Sequence, residues 1–148
     1  CRRVHVAAVS FGAALALHLA SRETVASLVL LAPALQPRTS LGVRLVLALR
    51  LHGLPGLRSR VPFTDDALDG MRWAREAAGQ VQAPIFAVQC EDDQILSAGS
   101  VRLLQKRARH TGSRFLVYPT GGHAILASHG PHGLYDEVAA FLREHRAG

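Results

Sequence analysis

The chain has 148 residues, of which 49% are hydrophobic, enough for one domain with a sizeable core. It carries 17 Lys and Arg against 11 Asp and Glu, so its formal net charge is +6. Nucleic-acid surfaces typically cluster basic residues among aromatic ones. Here the basic residues are spread along the chain and only 5% of residues are aromatic. This composition argues against a nucleic-acid partner and favours a solvated basic surface.

The two cysteines and the apolar segments indicate the compartment. Cys1 and Cys90 do not form a disulfide framework, and no secretory signal is visible. The apolar stretch Leu41–Leu51 is interrupted by Arg44 and Arg50 and is shorter than the ~20 residues needed to span a bilayer. We therefore expect a cytoplasmic protein without membrane insertion. Nothing in the sequence indicates an oligomeric state.

The first 32 residues predict a strand, a turn, a helix and a second strand. Val4–Val9 is a short apolar run, and residues 10–12 (Ser-Phe-Gly) form a tight turn. Ala13–Ala20 is rich in small residues, which would let a helix pack closely on a sheet. Val25–Ala32 is apolar on both faces, as in a parallel strand covered by helices on both sides.

Residues 34–82 differ in composition from what precedes them. They are rich in Leu and Arg and are broken by residues 53–56 (Gly-Leu-Pro-Gly). A helix is predicted over Asp65–Ala78, with Thr64 as its N-cap and Gly79 at its end. This block is predicted to be an insertion into the core fold.

Strand and helix alternation resumes after the insertion. Ile85–Cys90 and Phe115–Tyr118 are predicted strands, and Ser100–Ala108 and Tyr135–Arg143 are predicted amphipathic helices. Such alternation is typical of a mostly parallel sheet flanked by helices, so the predicted fold class is α/β.

Ser10 lies in Ala8-Val9-Ser10-Phe11-Gly12, between a predicted strand and a predicted helix. That context suits a nucleophile elbow, a sharp turn that lifts the serine hydroxyl above the sheet. Small residues at positions 8 and 12 would prevent clashes between strand and helix. The backbone N–H of Phe11 would form half of an oxyanion hole. Alternatively, Ser10 simply caps the helix, and the pentapeptide alone does not decide between the two.

Three acids follow the strand that ends at Cys90. Functional groups of α/β folds lie at the carboxyl ends of strands. Asp93 is the first choice for a functional carboxylate, Asp92 the second and Glu91 the third. The alternative is an ordinary solvated acidic turn.

His123 follows Gly121 and Gly122, whose freedom would let a loop bring the imidazole over the sheet edge. A histidine there suits proton transfer. The alternative is an ordinary loop histidine, since the chain has eight. His129 and His132 lie nearby, but no Cys accompanies them, and no metal site is expected.

Serine, acid and histidine follow one another in the chain order of the α/β-hydrolase triad, each after a predicted strand. From Val4 onward the chain resembles the α/β-hydrolase family. Residues 83–93 (Ala-Pro-Ile-Phe-Ala-Val-Gln-Cys-Glu-Asp-Asp) and 122–125 (Gly-His-Ala-Ile) look closest to small bacterial carboxylesterases related to monoacylglycerol lipases. The resemblance implies a catalytic triad of Ser10, Asp93 and His123, and a small helical cap at residues 34–82.

Two features depart from the family's pattern. Ala8 stands where the family usually has Gly, and the family's first strands, which carry the second oxyanion donor, do not precede Val4. We therefore expect residues 1–148 to be the C-terminal part of an α/β-hydrolase domain, with further sequence upstream of Cys1.

The resemblance implies a serine esterase that acts on a small-molecule ester without any cofactor. Leu41–Leu51 would suit an apolar acyl pocket, although plain packing of the cap on the core explains the stretch better. A serine nucleophile argues against dehalogenases and epoxide hydrolases. Thioesterases, amidases and acyltransferases share the triad, so fold analogy does not separate them. A non-catalytic hydrolase-like domain is the alternative from another class.

Overall fold

Strands and helices alternate along the chain in this computed structural model, which describes residues 3–40, 43, 63–127 and 131–146. The elements in chain order are β1 (His5–Val9), α1 (Phe11–Ala20), β2 (Ser27–Leu31), α2 (Asp65–Ala77), β3 (Ile85–Cys90), α3 (Gly99–Arg107), β4 (Arg114–Tyr118) and α4 (Leu134–Glu144). Apart from residue 43, the predicted Leu41–Leu51 stretch lies outside the described residues, as does the break at residues 53–56.

The four described strands form one parallel sheet in the order β1-β2-β3-β4. Val9 pairs with Leu31, and Cys90 pairs with Tyr118. All strands therefore end at the same edge of the sheet, as the predicted α/β class requires. The predicted fold class is confirmed.

Helices cover both faces of the sheet. On one face, Leu17 of α1 and Leu104 of α3 pack against Leu28 and Leu30. On the other face, Phe141 of α4 packs against Phe86, with ring centroids 5.5 Å apart. β2 and β3 are buried along their whole length, which explains why their sequences lack polar alternation.

The start of α1 differs from the sequence prediction, which placed it at Ala13. The helix begins at Phe11, directly after Ser10, and the Ala13 N–H donates to the Ser10 carbonyl at 3.1 Å. The turn between β1 and α1 is therefore a single residue, Ser10. The other predicted boundaries match the observed ones or differ from them by one or two residues.

α2 packs on α1, and Ala74 and Ala78 join the same buried cluster as Leu17. The predicted N-cap is present: the Thr64 hydroxyl accepts a hydrogen bond from the Ala67 N–H at 3.2 Å. The helix ends at Ala77, one residue before the predicted end at Ala78.

Candidate active site

Side chains from three loops meet at the carboxyl edge of the sheet. Ser10 follows β1, Asp93 lies in the loop after β3, and His123 lies in the loop after β4. Because the strands are parallel, their carboxyl ends share one edge, and residues more than 100 positions apart come into contact there.

Ser10 has an unusual backbone conformation, with φ 54° and ψ −124°. A positive φ is rare for a residue with a Cβ and stores strain that the surroundings must offset. The Ser10 N–H donates to the Leu31 carbonyl at 2.9 Å, and the Ser10 carbonyl accepts from Ala34 N–H at 3.1 Å. Hydrogen bonds to the neighbouring strand and the loop beyond it therefore hold the turn in place.

The Ser10 hydroxyl does not cap the helix it precedes: its side chain makes no cap hydrogen bond to the residues of α1. Instead, its Oγ lies 3.0 Å from His123 Nε2. The helix-cap alternative raised by the sequence therefore does not describe this side chain.

Position 12 has space for a side chain larger than that of glycine, although the sequence suggested that a small residue is needed there to avoid a clash between strand and helix. A Cβ on Gly12 would lie 3.8 Å from the Ala8 Cβ, an ordinary van der Waals distance. Ala8, the departure from the family's usual Gly, also fits without a clash.

Phe11 is the first residue of α1, so its N–H has no acceptor within that helix. Its ring rests against α2 at Gly70, where a Cβ would lie only 2.6 Å from the ring's Cζ. This contact escaped the sequence analysis, although a glycine inside a predicted helix often has a packing reason.

Asp93 is completely buried, yet four donors satisfy its carboxylate. Oδ1 accepts from the N–H groups of Ile95 (2.8 Å) and Leu96 (2.9 Å). Oδ2 accepts from Gln89 Nε2 (2.5 Å) and His123 Nδ1 (2.9 Å). A buried carboxylate requires such bonds, because desolvation otherwise disfavours its charged form.

The Asp93 bond also defines the histidine tautomer. A carboxylate only accepts, so His123 Nδ1 carries the proton, and Nε2 of the neutral ring can accept from the Ser10 hydroxyl. The result is a continuous hydrogen-bonded chain from Ser10 through His123 to Asp93.

Gln89 was not singled out by the sequence analysis. It is fully buried in β3, and its amide donates to the Asp93 carboxylate. The available signal was a polar side chain in an otherwise apolar strand, since a buried polar group is the informative exception in a core.

The three consecutive acids have different partners. Asp93 contacts His123, whereas Asp92 accepts backbone N–H bonds from Gly122 at 2.8 Å and Gly121 at 3.2 Å. Glu91 pairs with Arg102 at the surface. The bond from Gly122, together with that from Gly121, lowers the pKa of the Asp92 carboxyl.

Cys90 packs beneath the histidine loop. A Cβ on Gly121 would lie 2.7 Å from its Sγ and 2.9 Å from Pro131 Cδ. Burial, followed by the charges of Asp92 and Asp93, raises the pKa of the Cys90 thiol to about 11. The thiol therefore stays protonated near neutral pH and acts as a packing group.

Among the described residues, no group of three His, Cys, Asp or Glu side chains could hold a metal ion. His129 lies outside the part of the chain that the structure describes, and His132 is exposed.

None of the described helices is long and apolar enough to cross a membrane.

The family comparison agrees with the fold. The model of the serine aminopeptidase S33 family matches residues 56–129, half of the chain. The chain belongs to this family of α/β-hydrolases. No curated protein matches the chain at a significant level.

Solved structures of esterases and lipases share the fold. The monoacylglycerol lipase of Paleococcus ferrophilus has a TM-score of 0.68 at 14% identity, covering 99% of this chain and 69% of its own. The Pyrococcus furiosus esterase gives 0.68 at 18% identity, with 98% and 54% covered. For acetyl xylan esterase 1 from Thermoanaerobacterium the TM-score is 0.66 at 19% identity, with 98% and 46% covered. The chain thus spans about half to two thirds of these proteins.

Proposed function

We propose that this chain supplies the triad of a serine hydrolase that cleaves carboxylic esters through an acyl-enzyme. The supporting observation is the hydrogen-bonded chain itself: Ser10 Oγ lies 3.0 Å from His123 Nε2, and His123 Nδ1 lies 2.9 Å from Asp93 Oδ2. Nucleophile, base and orienting acid stand at the distances that such chemistry uses.

The proposed reaction begins when His123 Nε2 takes the Ser10 hydroxyl proton and Oγ attacks the ester carbonyl. Asp93 holds the Nδ1–H and stabilises the imidazolium that forms. The Phe11 N–H, at the start of α1, donates to the oxyanion. His123 then protonates the leaving alcohol. Water, deprotonated by His123, attacks the acyl-enzyme; the bond to Ser10 Oγ breaks, His123 returns the proton to Oγ, and the acid leaves.

We propose a small-molecule ester with an apolar acyl group as the substrate. The neighbours named as a lipase and as esterases support an ester. Phe11 directly follows Ser10 and is 37% exposed, so it would offer an apolar surface close to the reacting carbonyl. We also propose that residues 34–82 act as a cap; among their described residues, Gly70 of α2 lies against the Phe11 ring.

Labelling with a fluorophosphonate probe tests the proposal. The protein that carries this chain should become labelled at Ser10, as read by mass spectrometry, and Ser10→Ala should remove the label. The matched control is Ser21→Ala, which removes a hydroxyl at the other end of α1 that donates a hydrogen bond to the His18 carbonyl. Labelling should survive that change.

Two results would contradict the proposal: a folded protein that does not label, or labelling that persists in Ser10→Ala. A substrate panel of p-nitrophenyl esters, thioesters and anilides then identifies the bond cleaved. Faster turnover of thioesters or anilides than of matched esters would exclude the ester assignment while keeping the nucleophile.

A further inference from the structure

The Asp92 carboxylate joins two loops of the candidate site. It lies in the loop after β3, and its oxygens accept from the backbone N–H groups of Gly122 (2.8 Å) and Gly121 (3.2 Å), in the loop after β4. These glycines directly precede His123. One side chain therefore holds two consecutive peptide groups of the loop that carries the imidazole.

The loop contains two consecutive glycines, the residue type with the greatest backbone freedom, so fixing its conformation takes specific contacts. Gly121 has φ 139° and Gly122 has φ 64°, conformations that side-chain-bearing residues rarely adopt. Gly121 also packs against Cys90. A Cβ on Gly122, in contrast, would meet no described atom within 4 Å. The conformation of Gly121 is restrained by packing against Cys90, whereas that of Gly122 is restrained by its hydrogen bond to Asp92.

We infer that Asp92 is a positioning residue for His123: by fixing the two glycine peptides, it sets where the imidazole stands between Ser10 and Asp93. The inference rests on the proposed function. Asp93 contacts the ring itself, whereas Asp92 acts only through the backbone. Two adjacent carboxylates thus orient one histidine, Asp93 through its ring and Asp92 through the backbone before it.

The other side of the acidic loop is held as well. Arg38 Nη1 donates to the backbone carbonyls of Glu91 (2.5 Å) and Asp93 (2.8 Å). The Asp92 carboxylate is therefore attached to a loop that is anchored on both sides of it. The Asp92 carboxyl is charged near neutral pH even at an ordinary pKa, and because the two glycine bonds lower its pKa, it stays charged to lower pH than an ordinary aspartate.

The test compares Asp92→Ala and Asp92→Asn with Glu91→Gln, which neutralises the neighbouring acid paired with Arg102. Asp92→Ala should lower kcat for a p-nitrophenyl ester, and the rate constant for fluorophosphonate labelling, by roughly 10- to 100-fold, since small misplacements of a catalytic group cost that much. KM should stay within about twofold, because no ester-binding group is removed.

Asp92→Asn should fall between wild type and Asp92→Ala. Its one carbonyl oxygen can still accept from one glycine, while its NH₂ group faces the other N–H. Glu91→Gln should match the wild type. Each rate is normalised to the folded fraction measured by circular dichroism, so that unfolding does not imitate a loss of activity.

NMR distinguishes a failure of the positioning role of Asp92 from a failure of the proposed hydrolase function. In the wild type the Gly121 and Gly122 amide protons should resonate downfield, and Asp92→Ala should move both upfield. If these resonances do not move, or if they move while labelling keeps the wild-type rate, the positioning role is wrong although the serine hydrolase stands. If the wild type itself never labels, the proposed function fails and the positioning role fails with it.

Discussion

The turn that carries Ser10 and the loop that carries His123 are built in different ways. Ser10 is a single-residue turn, held by backbone hydrogen bonds that include one to Leu31 on the adjacent strand. His123 follows two glycines and is held by two carboxylates from the loop after β3. The serine is thus placed by the main chain of the sheet, the histidine by side chains from another loop.

This difference indicates where the site tolerates change. Backbone bonds to an adjacent strand survive most substitutions, because every residue except proline supplies the same donor and acceptor. A loop held by two particular carboxylates and a close glycine contact depends on residue identity. The histidine loop should therefore be the more sensitive half of the site, and three substitutions test this.

The largest effect is expected for Asp93→Asn. An Asn side chain can present its NH₂ group to His123 and favour the wrong tautomer, so kcat should fall by roughly 10⁴-fold, as in other triads. Steady-state ester hydrolysis measures the loss, and Asp136→Asn, an exposed acid in the first turn of α4, is the control. A loss below about tenfold in Asp93→Asn would show that Asp93 does not orient the histidine.

An intermediate effect is expected for Gly121→Ala. The new methyl group would lie 2.7 Å from Cys90 Sγ, on a residue with φ 139°. Overpacking and backbone strain should each cost about 1–3 kcal/mol of the free energy of unfolding. Urea denaturation measures the change. A variant as stable as the wild type would mean that the loop does not pack on Cys90.

The smallest effect is expected for Gly12→Ala, the matched glycine change in the first turn of α1, next to Ser10. Its methyl group would lie 3.8 Å from the Ala8 Cβ, and Ala is the better helix former. The free energy of unfolding should rise by about 0.5–1 kcal/mol, measured in the same urea experiments. Destabilisation as large as that of Gly121→Ala would remove the contrast between the two regions.

Much of the fold could be predicted because its signals are local. The strand Ile85–Cys90 has the predicted bounds, since a buried apolar run after Pro84 is distinctive. The start of α1 was predicted too late, because Ser10 alone forms the turn and no local pattern announces a one-residue connection. The predicted site residues Ser10, Asp93 and His123 converge in the structure, although their catalytic role is a proposal that labelling must test.

The supporting contacts could not be predicted, because each joins residues far apart in the chain. Gly70 accommodates the Phe11 ring, and Asp92 binds the peptide groups of Gly121 and Gly122. A sequence pattern shows that a glycine or an acid is present, not which distant atom it will meet.

The sequence by itself determined the alternation of strands and helices, and the serine, acid and histidine after three strands, because hydrophobic periodicity and turn residues act over a few positions. Only the tertiary structure decided which partner each of the three acids contacts. It also decided that the Ser10 hydroxyl bonds to His123 rather than capping α1. The physical reason is that a parallel sheet gathers the ends of all its strands at one edge. Which donor then meets which acceptor depends on distances that no local pattern encodes.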